Sequence, residues 1–168
     1  MNQLDIQELI GLLASVFSPT ESDRVLGILV DLPRHPESDS IRWKERREIA
    51  ASWRDTVRLH AGELGLESVH LFAYPDVGSN NADLPETAYD VTGRLPDSAG
   101  ELSQSGKQTP FDKVFSLCQL LLAPTEYSTT APLKNAARKY RFRAATMPGF
   151  ISAMIPALRI DYNEVNRR

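Results

Sequence analysis

The chain reads as an α/β protein: a mostly parallel sheet of about four or five strands with helices on both faces, a three-layer sandwich. Three observations carry that reading. Short apolar runs ending at proline, "RVLGILVDLP" and "ESVHLFAYP", have the near-continuous hydrophobicity of strands buried on both faces. Segments of helical period alternate with these runs, as crossovers between parallel strands require. The polar, proline-bearing loops follow the strands, where such a sheet presents its carboxyl ends to ligands.

The elements follow in order. Leu4, Ile6, Leu9, Ile10, Leu13, Val16 and Phe17 recur at mostly helical spacing, so an amphipathic helix is expected over residues 4–17, filling an N-terminal segment of residues 1–20 and closed by Ser18-Pro19. The first strand covers residues 24–33. "RHPESDS" is turn chemistry, with Ser38, Asp39 and Ser40 competing to cap the next helix. Trp43, Ala50, Trp53, Val57, Ala61 and Leu64 mark that helix, the longest, running to Gly65. Its other face, with Arg42, Lys44, Glu45, Arg46, Arg47 and Glu48, reads as solvated. A second strand covers residues 67–75.

A long polar region, 76–110, comes next, and within it "ETAYDV" can supply a short strand or helix. The apolar run over residues 114–124 reads as a third strand, 132–140 as a helix and 142–148 as a fourth strand. A turn of helix is expected around residues 150–154. Pro156 fits the first position of a last helix bearing Leu158, Tyr162 and Val165 on one face, so that residues 150–168 form a C-terminal helix at a domain junction. The whole of 1–168 reads as a single domain.

Composition narrows the function. A net charge of −3 and a pI near 5.6 speak against nucleic acid as a partner. The one cysteine, Cys118, lies inside an apolar run and has no internal disulfide partner, which points to a reducing cytoplasm. The N-terminus lacks the basic region of a secretory signal, and no apolar stretch reaches the roughly 18–20 residues of a membrane span. Charge is uneven along the chain. Seven acidic residues from Asp76 to Asp112 face Arg94 and Lys107, whereas eight basic residues from Ala131 to Arg168 face Asp161 and Glu164. Solvated faces account for this; complementary docking between halves, subunits or a further domain is the other reading.

No catalytic set stands out. His35, His60 and His70 lack metal-ligand spacing, and "DVGSNNAD" lacks the pattern of a calcium loop, so no metal site is expected in this chain. His60 and His70 read as structural residues on a helix and a strand. There is no nucleophile elbow and no glycine-rich phosphate loop, and Cys118 is expected to be buried and inert.

The candidate site is therefore the loop edge. Asn80, Asn81 and Asp83 sit in one loop, and Glu126, Tyr127, Thr129, Thr130 and Lys134 in another. In "STTAPLK" Thr129 or Thr130 is expected to cap a helix whose N-terminus, with Lys134 one turn in, can hold a carboxylate or phosphate.

"APLKNAARKYRFRAATMPGFISAMI", preceded by "STT", resembles the end of the N-terminal α/β domain in thermophilic metallo-aminopeptidases of the aminopeptidase T and aminopeptidase S type. Their superfamily includes iron-dependent 2,5-dihydroxypyridine dioxygenases. "YPDVGSNNADLP" is similar to a motif of an uncharacterised bacterial branch. The likeness follows element order over residues 24–168 and is detailed over 128–150. It implies a substrate-flanking and assembly domain, inactive alone, because the family's divalent-metal ligands belong to a C-terminal domain that does not follow Arg168. No cofactor is then expected in this chain. The expected partners are that missing domain or a second copy, and a small anionic or peptide ligand. The alternative is a free-standing anion- or small-ligand-binding module using the same loops.

Overall fold

Uninterrupted burial over eight residues marks the centre of the molecule, strand β1 (Val25–Leu32). In the computed structural model, which describes residues 3–159, the elements run α1 (Ile6–Phe17), β1, α2 (Ile41–Leu59), β2 (Ser68–Pro75), β3 (Thr87–Asp90), α3 (Leu102–Ser105), β4 (Lys107–Pro110), α4 (Phe111–Leu117), β5 (Leu120–Ala123), α5 (Thr130–Tyr140) and β6 (Arg143–Thr146). Short 3₁₀ turns at Pro36–Ser38, Ala61–Leu64, Ala99–Glu101 and Ser152–Arg159 complete them.

The six-stranded sheet has the order β4-β3-β2-β1-β5-β6. β1 pairs in parallel with β2 and β5, and β5 with β6, while β3 is antiparallel to both neighbours. Only β3 is therefore reversed. Alternate residues of β1 feed two cores. Leu26, Ile28, Val30 and Leu32 pack with Leu9 and Leu13 of α1 and Ile49, Trp53 and Val57 of α2. Val25 and Leu29 pack on the other face with Phe72, Phe111, Phe115, Leu121, Leu133 and Phe142. This is the expected αβα sandwich. Gly27 is needed on the second face, because a Cβ there would lie 2.7 Å from Leu121 Cδ2 and 2.9 Å from Cys118 Sγ.

Four expectations change. The apolar run over 114–124 is not one strand: Phe111–Leu117 forms α4 and only Leu120–Ala123 is strand. The polar region 76–110 holds two strands, β3 and β4, which raise the count to six. The face of α2 expected to be solvated is not solvated throughout. Arg46 and Arg47 are 0% and 5% exposed, because the loops at residues 97, 126 and 150 fold over the first half of that helix. Finally, Pro156 lies inside the 3₁₀ segment Ser152–Arg159 rather than at the first position of a helix. Tyr162 and Val165 lie outside the described residues. Ser40 prevails as the cap of α2, accepting from the Trp43 amide.

Candidate functional site

β1 is followed by β2 on one side and, after the β2–β4 excursion, by β5 on the other. That reversal is the switch point where α/β sheets open a crevice at the strands' carboxyl ends. Here the crevice is filled by the chain itself. Asp31, fully buried near the end of β1, accepts hydrogen bonds from the Glu126 amide at 2.8 Å and the Tyr127 amide at 3.2 Å, beyond the end of β5. Burial pushes its carboxyl up to about 6, against the opposing pull of those two amides and of the Arg46 charge. Tyr74, the register partner of Asp31 on β2, is also buried, and its phenol is held well above its usual range by burial and by the Asp31 and Asp76 charges.

Arg46 reaches this edge from α2. Its Nε donates to the Phe150 carbonyl at 3.1 Å and its Nη2 to Glu126 Oε2 at 2.5 Å, with the guanidinium 5.3 Å from the Trp43 ring centroid. Arg47 makes a bidentate pair with Asp39 at 2.8 and 3.0 Å and donates to the Asp97 carbonyl at 2.9 Å. Arg54 holds the Val91 and Gly93 carbonyls at 2.8 and 2.9 Å. Arg34 Nε donates to the Asp76 carbonyl, and its amide to that residue's carboxylate. Arginine forks thus bind the loops together along one side of the sheet.

The loop after β2 crosses the end of β1, since β1 lies between β2 and the β5–α5 connection it reaches. There Asn80 Oδ1 accepts from the Ser128 amide at 2.8 Å, and the Asn81 amide donates to the Ser128 carbonyl at 2.7 Å. Asn81, in the left-handed region at φ 60°, accepts at Oδ1 from the Ala131 amide at 3.0 Å. Asn80 and Asn81 therefore share the edge with Tyr127, as their place after a strand suggested.

The capping expectation does not hold. Thr129 occupies the N-cap position of α5 but makes no side-chain cap hydrogen bond. Thr130 Oγ1 bonds instead to Ser128 Oγ and Thr146 Oγ1. The orphan amides go elsewhere: Thr130 donates to Ser128 Oγ, Ala131 to Asn81, Pro132 has no N–H, and Leu133 donates to the Thr129 carbonyl. The first turn is satisfied from within the fold, so an anion there would have to displace Asn81 or Ser128.

The remaining candidates separate. Lys134 is exposed and makes no ion pair among the described residues. Asp83 lines an open groove of about 510 Å³ with Arg34, Pro75, Val77, Pro85 and Gly100, apart from the Asn81–Ser128 contact. Asp31, Arg46, Tyr74 and Ser128 are the residues of this edge that the candidate set lacked. Two of them left a signal: an aspartate inside the apolar run "GILVDLP" needs a partner, and Ser128 opens the hydroxyl-rich "STTAPLK" stretch. Among the described residues no group of three or more His, Cys, Asp or Glu side chains is placed to hold a metal ion. No helix among them is long and apolar enough to cross a membrane. No protein family, no curated protein and no solved structure matches the chain.

Proposed function

We propose that the chain is a substrate-flanking and assembly domain of the aminopeptidase T type, working in the cytoplasm beside a metal-bearing catalytic unit and without aminopeptidase turnover of its own. The Arg46 clamp carries this reading. It ties Glu126 to the Phe150 carbonyl, so half-buried Glu126, Tyr127 and Ser128 are offered at set positions along the carboxyl edge. A preset surface loses little entropy when a peptide or a second domain meets it. Ile41, 77% exposed at the start of α2 on the same edge, adds an apolar contact for the neighbouring unit. The divalent metal belongs to that unit, and no residue of this chain is assigned to it.

The test is a titration of isotopically labelled protein with a dipeptide amide, read by NMR. Resonances of Arg34, Glu126, Tyr127 and Ser128 should shift while those at the amino ends of the strands stay put. No shift at millimolar peptide, or shifts at the amino ends alone, defeats the reading. Amino-acid amides should not turn over with added zinc, cobalt or manganese; chelator-sensitive turnover would remove the non-catalytic half of the proposal. The groove beside Arg34 and Asp83 favours a second reading, a small-anion module. A response of Arg34 to inorganic phosphate but not to peptide selects it.

A further inference from the structure

The opposite edge of the sheet carries three side chains in the order nucleophile, base and orienting carboxylate. Ser68 and His70 are two apart on β2, so both point to the face that Phe72 and Tyr74 also occupy. Ser68 Oγ lies 3.3 Å from His70 Nε2, and His70 Nδ1 lies 2.9 Å from Asp90 Oδ2 on β3. The Phe72 ring stacks on the imidazole at 5.6 Å and 14°, holding its plane. Asp90 Oδ1 is buried without a partner, so the hydrogen bonding of that carboxylate among the described residues is directed at the imidazole. A carboxylate only accepts, so the Nδ1 proton faces Asp90 and the Nε2 lone pair faces Ser68. His70 and Asp90 keep side-chain exposures of 26% and 21%, and Ser68 is also partly exposed, so solvent and a small solute reach the group.

We infer that Ser68, His70 and Asp90 form a nucleophilic relay able to cleave small, unhindered esters. Ser68 Oγ attacks the ester carbonyl carbon while its proton passes to His70 Nε2. The bond to the leaving oxygen then breaks, that oxygen takes the proton, and the acyl group stays on Ser68. Water repeats the sequence, releasing the carboxylic acid and restoring the hydroxyl. Cys118 is not the nucleophile. It is 1% exposed, and burial, with the Asp90 charge, pushes its thiol up to about 12, which leaves it protonated at neutral pH. The charged residues around the group include Arg58, which donates to the Val69 carbonyl, Lys107, opposite Asp90 in the sheet, Arg24, whose carbonyl accepts from the Ser68 amide, and Glu67, which precedes Ser68 and pairs with Arg24.

This inference goes beyond the assembly reading and is tested separately, with an alkyl fluorophosphonate as the probe. Attack by Ser68 on phosphorus expels fluoride and leaves an adduct that intact-mass and peptide mapping locate. The expected result is one adduct on Ser68, absent in Ser68→Ala, with a labelling rate about 100-fold lower in His70→Gln. Asp90→Asn, whose amide can donate to Nδ1 and turn the imidazole to the wrong tautomer, should slow labelling as His70→Gln does, and melting curves should show both variants folded. A merely structural tie between β2 and β3 would change melting but not labelling. Should His70→Gln fail to fold, the parent's labelling rate is followed against pH: a rise that levels off supports the relay, and a rate simply proportional to hydroxide overturns it. No adduct, an adduct elsewhere, or labelling of Ser68 that ignores His70 also overturns it.

Discussion

The two edges of the sheet use charge differently. At the carboxyl edge Arg46, Arg47 and Asp31 are buried and committed to neighbouring loops: Arg46 to Glu126 and Phe150, Arg47 to Asp39 and Asp97, Asp31 to two amides. At the amino edge Asp23 is buried against Arg143, but the Arg24–Glu67 pair is largely open to water, the His60–Glu63 pair partly so, and the Ser68–His70–Asp90 chain is reachable from outside. A buried charge stripped of its partner is costly, whereas an exposed pair contributes little. The carboxyl edge should therefore behave as a fixed scaffold and the amino edge as the place where side chains remain free to react. The two edges would then divide between them the binding and the reactive side chains that a parallel sheet usually gathers at its carboxyl ends.

The sharpest way to break this contrast is Arg46→Ala. Losing the fully buried partner of Glu126 and of the Phe150 carbonyl should cost about 3–5 kcal/mol in urea unfolding, the range for opening a buried pair. A loss below about 1 kcal/mol, the range of an exposed pair, would make the carboxyl edge no more rigid than the other.

Asp31 gives the next largest effect, through pH. Its folded pKa, about 6, lies above the ordinary 3.8, so between those values the folded chain holds a proton that the unfolded chain releases. Stability from this group therefore rises as pH falls from about 7 to 4, by up to about 3 kcal/mol. Parent and Asp31→Asn, followed by chemical unfolding across that window, should diverge in the parent's favour as pH drops. The Arg47 guanidinium holds the Asp39 carboxyl below its usual range, so its contribution is lost only at still lower pH and does not blur the window.

Removal of the distant cap is a smaller change. Asn81→Gly keeps the left-handed backbone but deletes the acceptor for Ala131, and should cost about 1 kcal/mol. Thr129→Val deletes a buried hydroxyl that has no partner among the described residues and should be neutral or slightly stabilising. The reverse ranking would return the cap to Thr129. The smallest effect belongs to the amino edge. Arg24→Ala breaks a pair whose side chains are 58% and 61% exposed and should shift stability by about 0–1 kcal/mol, further reduced by salt.

How much of this was legible in the sequence depended on how local the cause was. β1, β2, β6, α1, α2 and α5 were readable because each is set by its own apolar pattern and neighbouring turn residues. α4 was not: its seven residues are too few to display a helical period, and they run straight into the apolar β5. β4 hid in a polar stretch because it lies at one side of the sheet, where Lys107 and Gln108 stay exposed, whereas "ETAYDV", readable as a short strand or helix, holds β3. At the candidate site the sequence placed Asn80, Asn81, Glu126, Tyr127 and Thr130 on one edge. It did not reveal that an asparagine fifty positions away supplies the cap, nor that Arg46 is buried. Both facts depend on loops folding over one another, which no local pattern encodes. Ser68 and His70 left a trace in the alternation of "SVHLF", but their third member comes from β3 and joined them only in the fold.

The borrowed cap of α5 also supplies a built-in clock for loop movement. The Ala131 amide is protected by Asn81, a residue outside the helix, while the Leu133 amide, two positions on, is protected by the helix's own Thr129 carbonyl. Lifting the loop after β2 exposes the first to deuterium and leaves the second covered; fraying of the helix exposes both. Exchange rates at these two neighbouring amides therefore separate opening of the carboxyl edge from local unfolding, on one chain and without any label.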